Sequence, residues 1–233
     1  MNKLNAQIQR ELRRAFSQPK DSIDRETLVL RLKIFYELSI REERADNLVP
    51  EDDAYLKKEE HPVLNNTVIN RCFVNYDWPP DGGFKGTKTE ATLHKGDMFD
   101  RIGDSEGMYV SPIEYGKLFN REERALPYYL LEETIRREPA YHVYEVVEDF
   151  ERLPEKVCNS NDNAILLGYL KGAKLDGFEK GMSLREFISR KGYRKPIPKG
   201  RVASCFGKIG GGIQIKLPLS IQSLLELEMI QEI

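Results

Sequence analysis

The chain has 233 residues, of which 40% are hydrophobic and 32% charged, with a formal net charge of −2. That length bounds one medium domain with appendages, and the apolar fraction is enough to build a buried core. The balanced charge excludes the strong basic excess of a nucleic-acid binder, no stretch approaches the roughly 18 consecutive apolar residues of a membrane helix, and the charged opening segment does not read as a secretory signal.

Residues 1–65 read as a helical extension. Leu4, Ile8, Leu12 and Phe16 recur every fourth position and make one apolar stripe. A second run from Leu28 to Ile40 carries Leu28, Leu32, Phe35 and Leu38 on one side, with Asp21, Ser22 or Asp24 as candidate caps. The acidic stretch from Glu43 to Glu60 contains Pro50 and few apolar residues, so it is expected to be a linker. These helices are expected to cover the core as a lid rather than to dock a partner.

From residue 66 the pattern changes to a second unit, 66–233. Val68 to Val74, Ala91 to Phe99, Met108 to Val110, Tyr141 to Val147, Arg201 to Phe206 and Ile213 to Leu217 are short and rich in β-branched or aromatic residues. Turn residues separate them, as in Asp81-Gly82-Gly83, Gly103-Asp104 and Gly210-Gly211-Gly212. The spacing predicts antiparallel strands rather than a βαβ array. Residues 153–197 interrupt the pattern. Within them Ser183 and Glu186 form a capping box, predicting a helix to Arg190 that Gly192 stops. Ser220 is expected to cap a short terminal helix carrying Ile221, Leu224 and Leu225.

Several motifs invite a function and fail. Gly103, Ser105 and Gly107 match the G-x-S-x-G elbow literally, but a strand rather than a helix is predicted to follow, so a hairpin turn is expected. Gly207 to Gly212 fits neither nucleotide-loop pattern in frame, and Gly172 to Gly177 lacks the Lys-Ser/Thr pair. Cys72, Cys158 and Cys205 are too few and too scattered for a disulfide framework or zinc knuckle, and free thiols are expected. His61, His94 and His142 have no second ligand at metal spacing, so no metal site is expected. The cluster Arg190, Lys191, Arg194 and Lys195 reads as a solvated loop.

Two blocks carry a resemblance. The first runs through Trp78-Pro79-Pro80-Asp81-Gly82-Gly83-Phe84, Leu93 to Gly103 with Asp100-Arg101, Gly107 to Pro112, Arg124-Ala125-Leu126-Pro127 and Tyr141 to Val146. The second runs from Phe206 through Gly210-Gly211-Gly212 to Gln214, then Leu217-Pro218. In order and character these segments resemble the TNT domain, the family of the tuberculosis necrotizing toxin, over about residues 78–151 and 198–233. The resemblance implies an α+β fold, a compact antiparallel β-rich core related to ADP-ribosyltransferase toxins, with 153–197 as a surface insertion. It implies NAD glycohydrolase activity on NAD or NADP as substrate rather than cofactor, in a toxin or effector. Such a protein is cytoplasmic or delivered into a target cell by a specialised route, and is restrained by an inhibitor (immunity) protein.

The same resemblance puts Arg101, Tyr109, His142 and Gln214 in catalytic roles, and Arg124, Phe206, Gly211 and Gly212 against the substrate. The chemistry of those residue types is compatible. Nicotinamide leaves a positively charged ribosyl bond as a neutral group, so no general acid is needed. What remains is to hold the dinucleotide and stabilise an oxocarbenium-like ribose. A guanidinium such as that of Arg101 forks onto phosphate, an amide such as that of Gln214 orients ribose hydroxyls, and Tyr109 offers a stacking ring. His142 is the side-chain type that titrates near neutral pH. Two alternatives stay open. One is ADP-ribosyl transfer to a protein, whose enzymes usually carry Glu where Gln214 stands. The other is an NAD-binding module without turnover.

Overall fold

The computed structural model describes residues 81–113, 118–119, 121–126, 141–204 and 209–233. The expected N-terminal helices, the acidic linker, the strand at 68–74, Cys72, Cys205, His61 and Phe206 lie outside these described residues.

The fold is α+β, built on a seven-stranded sheet in the order β1-β5-β6-β3-β2-β4-β7. The strands are β1 (Phe84–Glu90), β2 (Met98–Ile102), β3 (Tyr109–Pro112), β4 (Tyr141–Val146), β5 (Pro198–Val202), β6 (Ile213–Lys216) and β7 (Ile230–Glu232). Every pairing is antiparallel, as the short, evenly spaced runs predicted. β2 and β3 form a hairpin around residues 103–108. The Gly103–Gly107 segment is therefore a strand-to-strand turn, without the strained entry into a helix that a nucleophile elbow requires.

Two strands differ from expectation. Ala91 to Asp97 is not a strand: it turns through residues 95–96, and the strand lies before it at β1. β1 is an edge strand with only Phe84 buried, so its sequence shows no apolar alternation. The run expected from Arg201 to Phe206 is shifted, with β5 ending at Val202. β4 and β6 lie where expected, and all six residues of β4 are buried because both of its faces are covered.

The helices are α1 (Arg121–Arg124), α2 (Leu153–Asn159), α3 (Asn163–Leu170), α4 (Leu184–Lys191) and α5 (Ile221–Glu226). Capping chemistry sets their ends. Asp162 accepts a hydrogen bond from the Ala164 amide at 2.7 Å to start α3. The Ser183 hydroxyl accepts from the Glu186 amide at 3.1 Å to start α4, and Gly192 closes it in the left-handed conformation. Ser220 accepts from Ser223 at 3.2 Å to start α5.

The segment 153–197, expected at the surface, contributes to the core. Leu153, Val157, Ile165, Leu166, Phe187 and Ile188 of α2–α4 pack with Phe99, Val110, Tyr144 and Ile215 of the sheet in one core. The segment is helical as expected, but it does not stay at the surface, because the apolar side chains of its three helices need a partner to bury them. They find it on one face of the sheet. From α5, Ile221 and Leu224 complete that core and are fully buried. No helix among the described residues is long and apolar enough to cross a membrane.

Candidate active site

Directly opposed residues on neighbouring strands share a face, and faces alternate along each strand. Arg101 is opposite His142 and Phe99 opposite Tyr144, while Val110 is opposite Ile215. Since Phe99, Val110, Tyr144 and Ile215 are core residues packed on the helices, Arg101 and His142 project from this helical face. Tyr109 is opposite Lys216 and Gln214 opposite Gly200, which places Tyr109, Gln214 and Lys216 on the reverse face together with Asp100 and Tyr141. The four residues expected to act together are thus divided between the two sides of the sheet.

On the reverse face, Tyr109 and Gln214 meet at the turn preceding β1. The Gln214 amide donates to the Gly82 carbonyl at 3.3 Å. A side-chain carbon on Gly82 would lie 2.6 Å from the Tyr109 hydroxyl, and one on Gly83 3.6 Å from Gln214 Nε2. Gly82 and Gly83 both have positive φ, 66° and 79°, a conformation that glycine adopts without the steric penalty of a Cβ. The Phe84 ring lies 6.3 Å from that of Tyr109, and the Lys216 ammonium stands 5.6 Å over the Tyr109 ring. The result is a patch of aromatic rings, one carboxamide and one ammonium, with the Tyr109 hydroxyl closed onto the glycine turn. Gly82, Gly83, Phe84 and Lys216 carried no assigned role in the sequence reading. The Asp81-Gly82-Gly83 run signalled a turn, and only the sheet order shows what that turn touches.

Arg101 binds the loop of its own hairpin. Its Nε donates to the Asp104 carbonyl at 2.5 Å and one terminal nitrogen to the Tyr109 carbonyl at 2.8 Å, with the Asp104 carboxylate at 3.5 Å. Burial pulls the guanidinium pKa below the ordinary arginine value, and Asp104 opposes that shift. The group fills the space where Gly107 has no side chain, since a Cβ there would be 1.8 Å from a terminal nitrogen. In this arrangement Arg101 fixes the backbone that presents Tyr109. His142 is buried, stacks on Tyr144 at 6.0 Å, and its Nδ1 lies 3.0 Å from a Glu232 carboxylate oxygen. Its Nε2 is buried without a hydrogen-bond partner.

Arg124 is 8% exposed and reaches both carboxylate oxygens of Asp100 at 2.6 Å and the Phe119 carbonyl at 2.7 Å. The Tyr141 hydroxyl donates to Asp100 at 2.9 Å. Burial pushes the Asp100 carboxyl up, and the Arg124 charge opposes it. These contacts tie α1 to β2 and commit the Arg124 donors to protein atoms. The glycine run is also shaped by packing. The Gly212 amide donates to the Glu123 carbonyl at 2.9 Å, and a Cβ on Gly212 would come within 2.7 Å of the same oxygen. Gly211 alone has open space where a side chain would be.

A cavity of about 320 Å³ opens elsewhere, lined by Thr89, Glu90, Leu93, Asp97, Lys199 and Ile215 among others, and by none of the expected site residues. Cys158 is a free thiol, raised in pKa chiefly by burial. Among the described residues no cluster of His, Cys, Asp or Glu could hold a metal ion.

No family model and no curated protein matches the sequence. Among solved structures, the chain is similar to the tuberculosis necrotizing toxin complexed with its immunity factor. The sequence identity is 20% and the TM-score 0.38, with 66% of this chain and 60% of that chain covered. The chain therefore spans less than two thirds of that toxin chain.

Proposed function

We propose that the chain is an NAD(P) glycohydrolase, adding water across the nicotinamide–ribose bond to give nicotinamide, ADP-ribose or its phosphate, and a proton. Supporting this reading is the meeting of Tyr109 and Gln214 over Gly82 and Gly83. These residues come from three separate motifs of the TNT-like pattern and are brought together by the sheet. In this reading the Gln214 amide turns from the Gly82 carbonyl to the ribose hydroxyls and orients the sugar as the C–N bond lengthens. Tyr109 packs on the reacting ring, and the glycines at 82 and 83 let the Tyr109 hydroxyl and the Gln214 amide close on the turn's backbone.

Electron demand at the ribose carbon is met by its ring oxygen. The pyridinium charge is neutralised as nicotinamide departs, and water attacks the vacated position. Arg101 acts as a positioning residue through the Tyr109 carbonyl. His142, on the other face, is assigned no substrate contact. A toxin or effector role with an inhibitor protein, in the cytoplasm or after delivery into a target cell, follows from the sequence resemblance.

The test is nicotinamide release from NAD by the full chain. Gln214→Ala is expected to lower release at least about a hundredfold. Its melting temperature should stay within about 4 °C of the parent, because one hydrogen bond is lost. Unchanged turnover removes Gln214 from the mechanism. Labelling of protein with ADP-ribose would instead indicate transfer, and tight NAD binding without release would indicate a module.

A further inference from the structure

The cavity of about 320 Å³ lies on the helical face of the sheet, where no residue of α2–α5 lines it. Register sets its floor. Thr89 is opposite Lys199, and Lys199 opposite Ile215. Phe99 is opposite Pro112, so all five project from the face that carries Val110 and Tyr144. Residues 91–97 form a wall, and backbone hydrogen bonds pin it. The Ala91 amide donates to the Ile197 carbonyl at 2.8 Å, the Phe150 amide to the Leu93 carbonyl at 3.0 Å and the Gly96 amide to the Val146 carbonyl at 2.8 Å. The cavity is therefore preformed.

Its lining is of two kinds. Leu93, Met98, Phe99, Ile113 and Ile215 are apolar and buried. Glu90 and Asp97 are exposed at the mouth, each steered by a backbone amide. The Glu90 carboxylate accepts from Ile197 at 3.2 Å and that of Asp97 from His94 at 2.8 Å. Lys199 is the one ammonium in the lining against these two carboxylates. Ala91 and the threonines at 89 and 92 leave the space between them open. A preformed concavity with an apolar floor and a few convergent polar groups is the usual form of a small-molecule site, and such sites have volumes from about 300 Å³ upward. The floor favours a compact hydrocarbon or ring, and the excess of carboxylate favours a positive group above it.

We propose that this cavity binds a small organic cation, a compact apolar or aromatic body carrying one protonated amine. The body lies on Phe99 and Ile215, and the amine turns toward Glu90 and Asp97. The site is separate from the glycohydrolase reading, whose Tyr109 and Gln214 project from the other face of the sheet.

The probes are phenethylammonium, its neutral counterpart 2-phenylethanol and its anionic counterpart phenylacetate, each titrated into the full chain carrying labelled isoleucine methyl groups. Phenethylammonium is expected to shift the Ile113 and Ile215 methyl signals saturably and to leave those of Ile188 and Ile221, in the helical core, in place. Phenylacetate should bind at least about threefold more weakly. Glu90→Gln combined with Asp97→Asn should weaken phenethylammonium by about threefold to tenfold, with a melting temperature within about 4 °C of the parent. Ala91→Leu, which fills the cavity, should abolish the shifts. If no probe moves Ile113 and Ile215 saturably, or Ala91→Leu binds as the parent does, the cavity is not a ligand site. If 2-phenylethanol or phenylacetate binds as tightly as phenethylammonium, or the double carboxylate variant binds unchanged, the assignment to a cation is wrong.

Discussion

The two faces of the sheet are held by different physics. Where α2–α5 pack, the helical face is apolar: Val157, Ile188, Ile221 and Leu224 are almost wholly inaccessible, and burial of such side chains is worth about 1.5–3 kcal/mol each. The reverse face is held by a buried ion pair between Asp100 and Arg124, by the Tyr141 hydroxyl, and by glycines that let backbones touch. Apolar contacts degrade gradually when trimmed. A buried charge left without its partner is far less forgiving. The face proposed to handle substrate is thus the more brittle of the two, and the helical face acts as its foundation.

The sharpest way to break this comparison is Arg124→Ala, which strands the Asp100 carboxylate and should cost about 3–5 kcal/mol in urea unfolding. The double change Asp100→Leu with Arg124→Met should recover much of that loss, because neither charge then remains buried. A cost under about 1 kcal/mol for Arg124→Ala would show the pair to be solvated and the contrast between faces false. On the helical face, Ile188→Ala should cost about 2–5 kcal/mol. A change within about 0.5 kcal/mol would return α4 to the status of a surface appendage. Gly107→Ala is expected to expel the Arg101 guanidinium and cost about 1.5–3 kcal/mol, the worth of its charged hydrogen bonds. Combined with Arg101→Met it should add little further, which a double-mutant cycle measures. The smallest effect, about 1 kcal/mol, is expected from Ser183→Ala at the start of α4.

Much of this architecture is legible in the sequence where a local rule governs it. The start and stop of α4 are written in Ser183, Glu186 and Gly192, and α5 in Ser220. β4 and β6 are marked by their β-branched and aromatic runs. β1 is hidden because an exposed edge strand needs no apolar alternation, and β7 because its three residues are too short to show a period. The division of the site is invisible for a related reason. A period of two says which residues of one strand share a face, but register between strands sets which faces coincide. Nothing around Arg101 or Gln214 encodes that register. Arg124 likewise shows no sign of Asp100 as its partner, since the two are joined only when α1 folds against β2.

The contact between Arg101 and Gly107 bears on how this hairpin can vary among relatives. The guanidinium lies where any larger residue at position 107 would put its first side-chain carbon. Drift at 107 is therefore closed while an arginine stands at 101, and opens once a shorter residue replaces it. The two positions should co-vary as a pair, and homologues that keep the arginine should keep the glycine whether or not they share a substrate.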